Sequence, residues 1–378
     1  MMEDIGYYYS YLEVDLQQGK KNFLNMQQAI PQTIIPVIKG NAHGFGTVPV
    51  ARMFVEDLGI KTVACAQVCE AAEMRKAGFD DVDIMLLSGV PRHALEAVVD
   101  YRLLMPLYDV ETVQQLSRIV GEKGIASFPV QVKVDLGLHR IGVAPQQLDT
   151  LLAAIRQAGN LELTGFYGHF SNAGTQPDPI TQRQYELYCR LLEQVRGAGF
   201  ALRYTHVGCS ASVAWLQADV CSHTRIGWGY LAYTPLEGFA SYFGNRPAVS
   251  LRAFITAIHH VEPGDTVGYG MDVVAQRPMK TATLSMGFCD GFYRPLALHG
   301  GYALLRGKEA RYLSICMDQT FLDVTDIDCQ VGDEVTIYGQ DKYSPRYLTT
   351  AEAAQFADGN SSSLHTYING RVARIYKK

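Results

Sequence analysis

The stretch IPVIKGNAHGFG, residues 35–46, ends an apolar run at Lys39 and follows it with three glycines in seven positions. Residues suited to a buried strand lead to an ammonium group, and the glycines then let the backbone turn sharply. Such a lysine either marks where the strand meets water or is held in a pocket, where a desolvated amine becomes a nucleophile or a base. Other residue types able to do chemistry fall at the ends of later apolar runs. They are Asp135 and Arg140 after PVQVKVD, His169 at the end of LTGFYGHF, His206 in YTHVG with Ser210 beyond it, and Arg225 at the start of TRIGWGYL. Singly, each has a plain explanation: a solvated strand end for the lysine, a hydrogen-bonded core group for a histidine. They become a site only if the fold brings the strand ends to one rim.

Up to about residue 232 the chain alternates short apolar runs with helical patterns, the rhythm of βα units around a parallel sheet. Eight runs fit strands: 33–39, 62–68, 83–89, 103–108, 129–135, 163–170, 204–208 and 224–231. Helix candidates such as VPVARMFVEDLG, CEAAEMRKAG, PQQLDTLLAAIRQAG and ITQRQYELYCRLLEQVRGAG carry apolar residues at three- and four-residue steps and end at glycine. Eight strands favour a closed (β/α)8 TIM-type barrel over an open sheet, and catalytic groups of such a barrel sit at the C-terminal strand ends. After Tyr233 a linker, TPLEGFASYFGNRP, leads to segments with strand period and turn residues. The expected fold is therefore α/β, a barrel over residues 1–240 followed by a mainly β domain over 241–378. One helix is expected in the second domain, where Thr349 and Glu352 form a capping-box pattern. The early run YLEVDL pairs with either domain as far as its pattern goes.

The 378 residues are enough for two domains, and 48% apolar with 19% charged residues is an ordinary soluble composition. A net charge of −5 without a basic stripe argues against nucleic-acid binding. The N-terminus has no secretory apolar stretch and no 18-residue apolar run occurs, so the chain reads as cytoplasmic, with no membrane segment. Eight scattered cysteines without CxxC spacing read as reduced thiols, with no metal site.

VIKGNAHGFG resembles the pyridoxal-phosphate lysine motif of the alanine racemases, a fold-III family with an N-terminal barrel and a C-terminal β domain. KVDLGLHRIGV (133–143), GFYGHFSNAG (165–174), HVGCSAS (206–212), TRIGWGYLAY (224–233), GDTVGYG (264–270), SMGFCDGFYR (285–294), ICMDQTFLDV (315–324) and GRVARIY (370–376) resemble the family's further landmarks, in order. The resemblance thus covers nearly the whole chain. It implies pyridoxal 5′-phosphate as cofactor, a small amino acid as substrate, most simply alanine, and a two-base racemisation by Lys39 and Tyr269. Lys39 would also bind the cofactor covalently. Arg225 would donate to the pyridine nitrogen with His206 behind it, and an always-charged donor leaves that nitrogen unprotonated, which favours racemisation over transamination. Ser210, Gly227, Trp228 and His43 would hold the phosphate, and His169 would lie near the ring. Arg140, Met317 and Asp318 would bind the substrate side, and Lys133 matches a lysine that is often carbamylated. The family completes its site across a homodimer, so Tyr269, Met317 and Asp318 would come from the partner.

The chain also departs from the pattern. Gly40, His43 and Phe45 replace an alanine, a phosphate-binding tyrosine and a histidine; Cys209 replaces an asparagine and Phe288 a tyrosine. Gly370 stands where a tyrosine usually precedes the RVxR motif, which removes a ring and opens space beside the substrate methyl group. A serine racemase of the vancomycin-resistance type, a fold-III decarboxylase and a non-catalytic binder of an amino acid or the cofactor are the alternatives.

Overall fold

The structure, a computed structural model, describes residues 5–174, 177–216, 220–231, 242–357, 359 and 361–378. They fall into two compact units: Leu24–Ala42 with Thr47–Trp228, and Met1–Phe23 with His43–Gly46 and Gly229–Lys378. The boundary expected at residues 240/241 and much of the linker lie outside the described residues. Among the described residues no helix is long and apolar enough to cross a membrane.

The first strand, β1 (Ser10–Asp15), belongs to the second unit. In the first unit, helices alternate with eight short strands: β2 (Thr33–Pro36), β3 (Thr62–Cys65), β4 (Asp83–Leu86), β5 (Met105–Leu107), β6 (Phe128–Lys133), β7 (Leu161–Tyr167), β8 (Tyr204–His206) and β9 (His223–Ile226). Each starts at or near the position that the apolar runs predict and ends earlier, because the last residues of the runs belong to the loops and helix starts that follow the strands. All pairings are parallel: β2 with β9, β3 with β4, and β5 through β8 side by side. Single parallel bridges, Val37 to Ala64 and Met85 to Leu104, join β2 to β3 and β4 to β5. Between β8 and β9, the Arg225 N–H donates to the Gly208 carbonyl at 3.2 Å, and the Thr205 N–H donates to the Ser222 hydroxyl at 3.0 Å. Every one of these strands thus has a neighbour on both sides.

Ile35, Val37, Ala64, Met85, Leu104 and Tyr204 form one buried hydrophobic cluster on these strands. The buried phenol of Tyr204 is satisfied by donating to Asp83 at 2.5 Å. The surrounding helices begin and end where side chains complete their termini. Asp109 accepts from the Thr112 N–H, and Asp178 from those of Ile180 and Thr181, all at 2.8 Å. Gly159, at φ 69°, ends Leu148–Ala158 in the left-handed region that a glycine enters without penalty.

The second unit is mainly β, and its largest sheet is closed. Its strands are β10 (Val249–Val261), β11 (Thr266–Val267), β12 (Val273–Val274), β13 (Met279–Leu284), β14 (Tyr302–Leu305), β15 (Lys308–Ile315), β16 (Thr320–Asp323), β17 (Glu334–Gln340), β18 (Tyr347–Leu348) and β19 (Ala373–Lys377). The order β10-β13-β16-β15-β14-β17 returns from β17 to β10, a six-stranded barrel. The long β10 closes it by pairing with β17 through Leu251–Phe254 and with β13 through Ile255–Val261, with a register shift in each ladder. Such irregularities bend a strand enough to serve two neighbours. β1 adds antiparallel to β10, with Leu12 opposite Leu251, and β19 adds parallel to β1. YLEVDL therefore serves this unit. The capping box holds as well: Thr349 Oγ1 accepts from the Glu352 N–H at 3.0 Å, and Glu352 accepts from the Thr349 N–H at 2.8 Å.

Candidate active site

Lys39 follows β2 at its C-terminal end. The ladder continues for two residues past the strand, with the Val37 N–H donating to the Ile226 carbonyl and the Ile38 N–H to the Ala64 carbonyl, both at 2.8 Å. Then Gly40, Asn41, Ala42 and His43 run consecutively in the left-handed region, at φ 64°, 54°, 51° and 58°. For the three non-glycine residues that conformation costs about 1–2 kcal/mol each. Glu70 offsets it from the helix Val68–Lys76: its carboxylate accepts from the Gly40 N–H and, at 3.4 Å, from the Asn41 N–H. Asn41 Oδ1 in turn accepts from the Thr47 N–H at 2.9 Å. The turn is thereby fixed, and with it the base of the lysine side chain. Solvent reaches Lys39, yet desolvation by the surrounding protein, then Arg140 and Arg225, lower its pKa against the opposing charge of Glu70. A lysine so placed is more often an uncharged amine than one in water.

Arg225, on β9, is 4% exposed and organises the neighbouring strand ends. One terminal nitrogen donates to His206 Nδ1 and, at 3.1 Å, to the His206 carbonyl; the other donates to the Gly168 carbonyl at 2.9 Å and to His169 Nδ1 at 3.0 Å. Among the described residues its Nε–H has no partner, so one donor of a fixed cation is left for a ligand. His206 and His169 are held well below the usual histidine pKa, first by burial and then by Arg225, so both imidazoles are neutral acceptors here. Tyr167 underlies the group: its ring stacks on His206 with centroids 4.8 Å apart, and the Arg225 guanidinium lies 5.5 Å from its centroid. Ser210 is buried, and its hydroxyl accepts from the Gly227 N–H at 3.0 Å, which leaves its own proton to donate. Trp228 follows Gly227 at the end of this unit.

Lys133 ends β6. It is 2% exposed and donates to the Ile141 carbonyl at 2.8 Å. Burial, then Arg225 and Arg140, push its pKa down to about 8. The loop that carries Arg140 is shaped by Asp135, whose Oδ1 accepts from the N–H groups of Gly137, Leu138 and His139 at 3.0–3.1 Å. Gly142 packs so closely beneath it that a Cβ there would lie 2.5 Å from the Asp135 nitrogen. The expected groups of this unit, Lys39, Lys133, Arg140, His169, His206, Ser210, Arg225 and Gly227, thus gather around the ends of β2 and β6–β9. Four of them are cationic residue types, and Glu70 and Asp135 are the carboxylates that act on the lysines. Such an excess suits a ligand with anionic groups.

The remaining predicted residues lie in the second unit. Tyr269 sits on the turn between β11 and β12, flanked by Gly268 at φ 85° and Gly270 at φ 66°. A Cβ on Gly268 would come 2.7 Å from the Ser314 hydroxyl, which itself donates to Asp272 at 2.5 Å. The turn is therefore pinned while the Tyr269 side chain is 80% exposed. Tyr269, Met317 and Asp318 line one open cavity of about 490 Å³. The Asp318 carboxylate is engaged by Arg371 at 2.7 Å, and Arg371 also holds the buried Asp290 at 2.8 Å. His43 is buried in this unit beside His365, whose pKa falls to about 3 through burial and then the nearness of His43. The next two carbonyls are tied down as well: Arg374 donates to that of Gly44 at 2.8 Å and Tyr376 to that of Phe45 at 2.9 Å. A Cβ on Gly370 would meet nothing within 4 Å.

Three groups in the first unit were not singled out from the sequence: Glu70, Tyr167 and Gln131, which accepts from His206. Gln131 did leave a trace, because it is polar at an inward position of β6, two residues before Lys133.

The sequence pattern of the alanine racemase N-terminal domain matches residues 14–235, and that of the C-terminal domain matches residues 248–376. An alanine racemase of Geobacter sp. is 30% identical to this chain, over 87% of this chain and 88% of its own length. One of Halothermothrix orenii is 28% identical over 97% of both. Among solved structures, an alanine racemase from the D-cycloserine producer Streptomyces lavendulae superposes with a TM-score of 0.90 at 26% identity, over 98% of this chain and 97% of that one. The alanine racemase of Bacillus anthracis, solved with bound L-Ala-P, also gives 0.90 at 26%, over 98% and 96%.

Proposed function

The chain belongs to the alanine racemase family, and on that premise we propose that it racemises alanine with pyridoxal 5′-phosphate as cofactor, Lys39 and Tyr269 handling the α-proton on opposite faces. The observation that carries the reading is the cationic cluster around Lys39, with a pKa lowered by desolvation and by two arginines. In keeping with it, we read the eight parallel strands as a (β/α)8 TIM-type barrel whose C-terminal strand ends form the site, with the β domain beginning near residue 241.

The residues present fit the cofactor chemically. Lys39 would hold it covalently through Nζ, Ser210 and the main-chain N–H groups of Gly227 and Trp228 would take the phosphate, that of Gly227 turning from the Ser210 hydroxyl to which it donates here, and His43 would donate to it as well. The unpartnered Nε–H of Arg225 would meet the ring nitrogen, with His169 near the ring. When bound, pyridoxal phosphate supplies an electron-accepting ring that makes the α-proton of an amino acid removable. The lowered pKa of Lys39 enlarges the share of free amine able to take that proton. Tyr269 exchanges the proton on the other face, in a dimer from the partner subunit. Arg140 and the Met317 N–H would bind the substrate carboxylate, and Asp318, through Arg371, steadies the segment that carries Met317. Lys133, with a pKa of about 8, has an uncharged fraction that can add carbon dioxide and release a proton. The resulting carbamate would place an anion among Arg140 and Arg225.

Serine is the second reading for the substrate, because Gly370 leaves open space where the family carries a tyrosine ring. The decisive experiment reduces the purified, cofactor-loaded protein with borohydride and maps the modified lysine, alongside D-alanine and D-serine formation from the L-enantiomers. A pyridoxyl adduct on Lys39 with D-alanine formed faster than D-serine is expected. An adduct elsewhere, or none, would overturn the cofactor assignment, and faster serine turnover would overturn the substrate.

A further inference from the structure

His206, which holds Arg225 from behind, is itself held by a group that no landmark of the sequence marks. His206 is fully buried, as is Gln131 on β6, and the His206 Nε2 lies 3.0 Å from Gln131 Oε1. The strands place them: Gln131 pairs with Gly165, and a Cβ on Gly165 would come 2.7 Å from Gln131 Cγ and Oε1. A glycine on β7 thus makes the room that the amide occupies.

The protons along this line are dictated by chemistry. A guanidinium N–H can only donate, so the Nδ1 facing Arg225 has to be the bare nitrogen. In a neutral imidazole the proton then sits on Nε2, which has to donate. Gln131 can accept only through its oxygen, so the amide points Oε1 at the histidine and its NH2 away. That NH2 is buried and has no partner among the described residues. An orphaned buried donor is unfavourable, and the amide keeps this orientation because the reverse one would set donor against donor, at Gln131 if the imidazole proton stays on Nε2 or at Arg225 if it moves to Nδ1.

We propose that Gln131 is a positioning residue for Arg225: by accepting from His206 Nε2 it fixes the imidazole tautomer whose bare Nδ1 takes the guanidinium N–H. The tautomer rests on the geometry alone; its consequence for turnover rests on reading Arg225 as the donor to the cofactor ring. With the tautomer fixed, the guanidinium cannot rotate without losing its bonds to His206, and its Nε–H keeps one direction. Substrate binding does not depend on that direction, so the effect belongs in kcat rather than KM.

The test uses the full chain, with and without pyridoxal phosphate, labelled at the histidine nitrogens. Long-range proton–nitrogen correlation spectra report the tautomer of His206, its signal identified by its loss in His206→Asn. The wild type should show the proton on Nε2 and a bare Nδ1 at neutral pH. Gln131→Met, similar in size but without a strong acceptor, should lose the single fixed tautomer and about tenfold in kcat, with KM within about twofold. Gln131→Glu retains an acceptor oxygen at the same reach. It should recover kcat above neutral pH and lose it again in acid, where the carboxylate promotes a second proton on His206. A proton on Nδ1 in the wild type, a doubly protonated His206 at neutral pH, or a Gln131→Met protein with unchanged tautomer and kcat would overturn the proposal. The wild-type tautomer is read without turnover, so a protein that racemises nothing yet shows the Nε2 proton counts against the functional reading and supports the relay.

Discussion

Lys39 and Lys133 stand in the same field of arginines and differ in what surrounds them. Lys39 meets solvent and Glu70, whereas Lys133 is buried with a carbonyl for its proton. The folded pKa of Lys133 is about 8 against an ordinary 10.5. Between those values the unfolded chain keeps a proton that the folded chain has released, so stability rises with pH there, and below about 8 the buried charge is a standing cost. Lys133→Met should therefore raise the unfolding free energy near neutral pH by roughly 1–2 kcal/mol in bicarbonate-free buffer. The gain should shrink as pH climbs toward 10.5; denaturant midpoints at both ends of the range check it, and a gain independent of pH would refute the assigned pKa. Tyr269 is the opposite case, because its ring is 80% exposed and packs into no core. Tyr269→Phe should leave stability within about 0.5 kcal/mol and cofactor absorbance unchanged, while racemisation falls by at least about a hundredfold. Retained turnover in both directions would remove Tyr269 from the mechanism.

The element that decides how Lys39 is presented is the left-handed run from Gly40 to His43, and its two nearest glycines have different duties. A Cβ on Gly40, at φ 64°, meets no atom within 4 Å, so Gly40→Ala should cost about 1 kcal/mol in backbone preference and retain activity. Gly44, at φ 91°, backs directly onto the His365 carbonyl, and Gly44→Ala should cost more than about 3 kcal/mol and lower cofactor affinity. Thermal melts and cofactor titrations of the two variants separate the cases, and equal losses would refute the contrast. This run also shows what a sequence hides. The alternation of apolar runs and helical faces located all eight strands of the first unit, and the residues just past their ends located Lys39, Arg140, His169 and Ser210. Period and composition do not encode the hand of a turn: Asn41 and His43 tolerate the left-handed region better than most residues, but Ala42 does not, and Glu70, thirty positions from Gly40, accepts from the N–H groups that open the run. Closure of the second unit was hidden for a related reason. β10 reads as one long strand, and only its register shifts reveal that it serves two neighbours. Gln131 and Tyr167 acquire their parts from adjacency between strands, which no local pattern records.

At the scale of the whole molecule, the candidate residues divide cleanly: Lys39, Arg140 and Arg225 belong to one compact unit, Tyr269 and Met317 to the other. A two-base racemisation needs a site with one base from each set, and the exposure of Tyr269 and of Met317, at 80% and 54%, leaves both available to a second subunit. The proposed homodimer with shared sites makes an unusual demand on mixtures of inactive variants. In a heterodimer of Lys39→Ala with Tyr269→Phe, sites shared across subunits come out unequal: one combines both defects and the other has neither. Sites formed within a subunit would each carry one defect. Random reassociation of an equal mixture makes half the dimers mixed, each with one intact site of two, so about a quarter of wild-type specific activity should return. Unfolding and refolding the two variants together, then assaying D-alanine formation, measures this. Activity that stays at the level of the separate variants, while size measurements show mixed dimers, would assign both bases to one chain and remove the shared site from the mechanism.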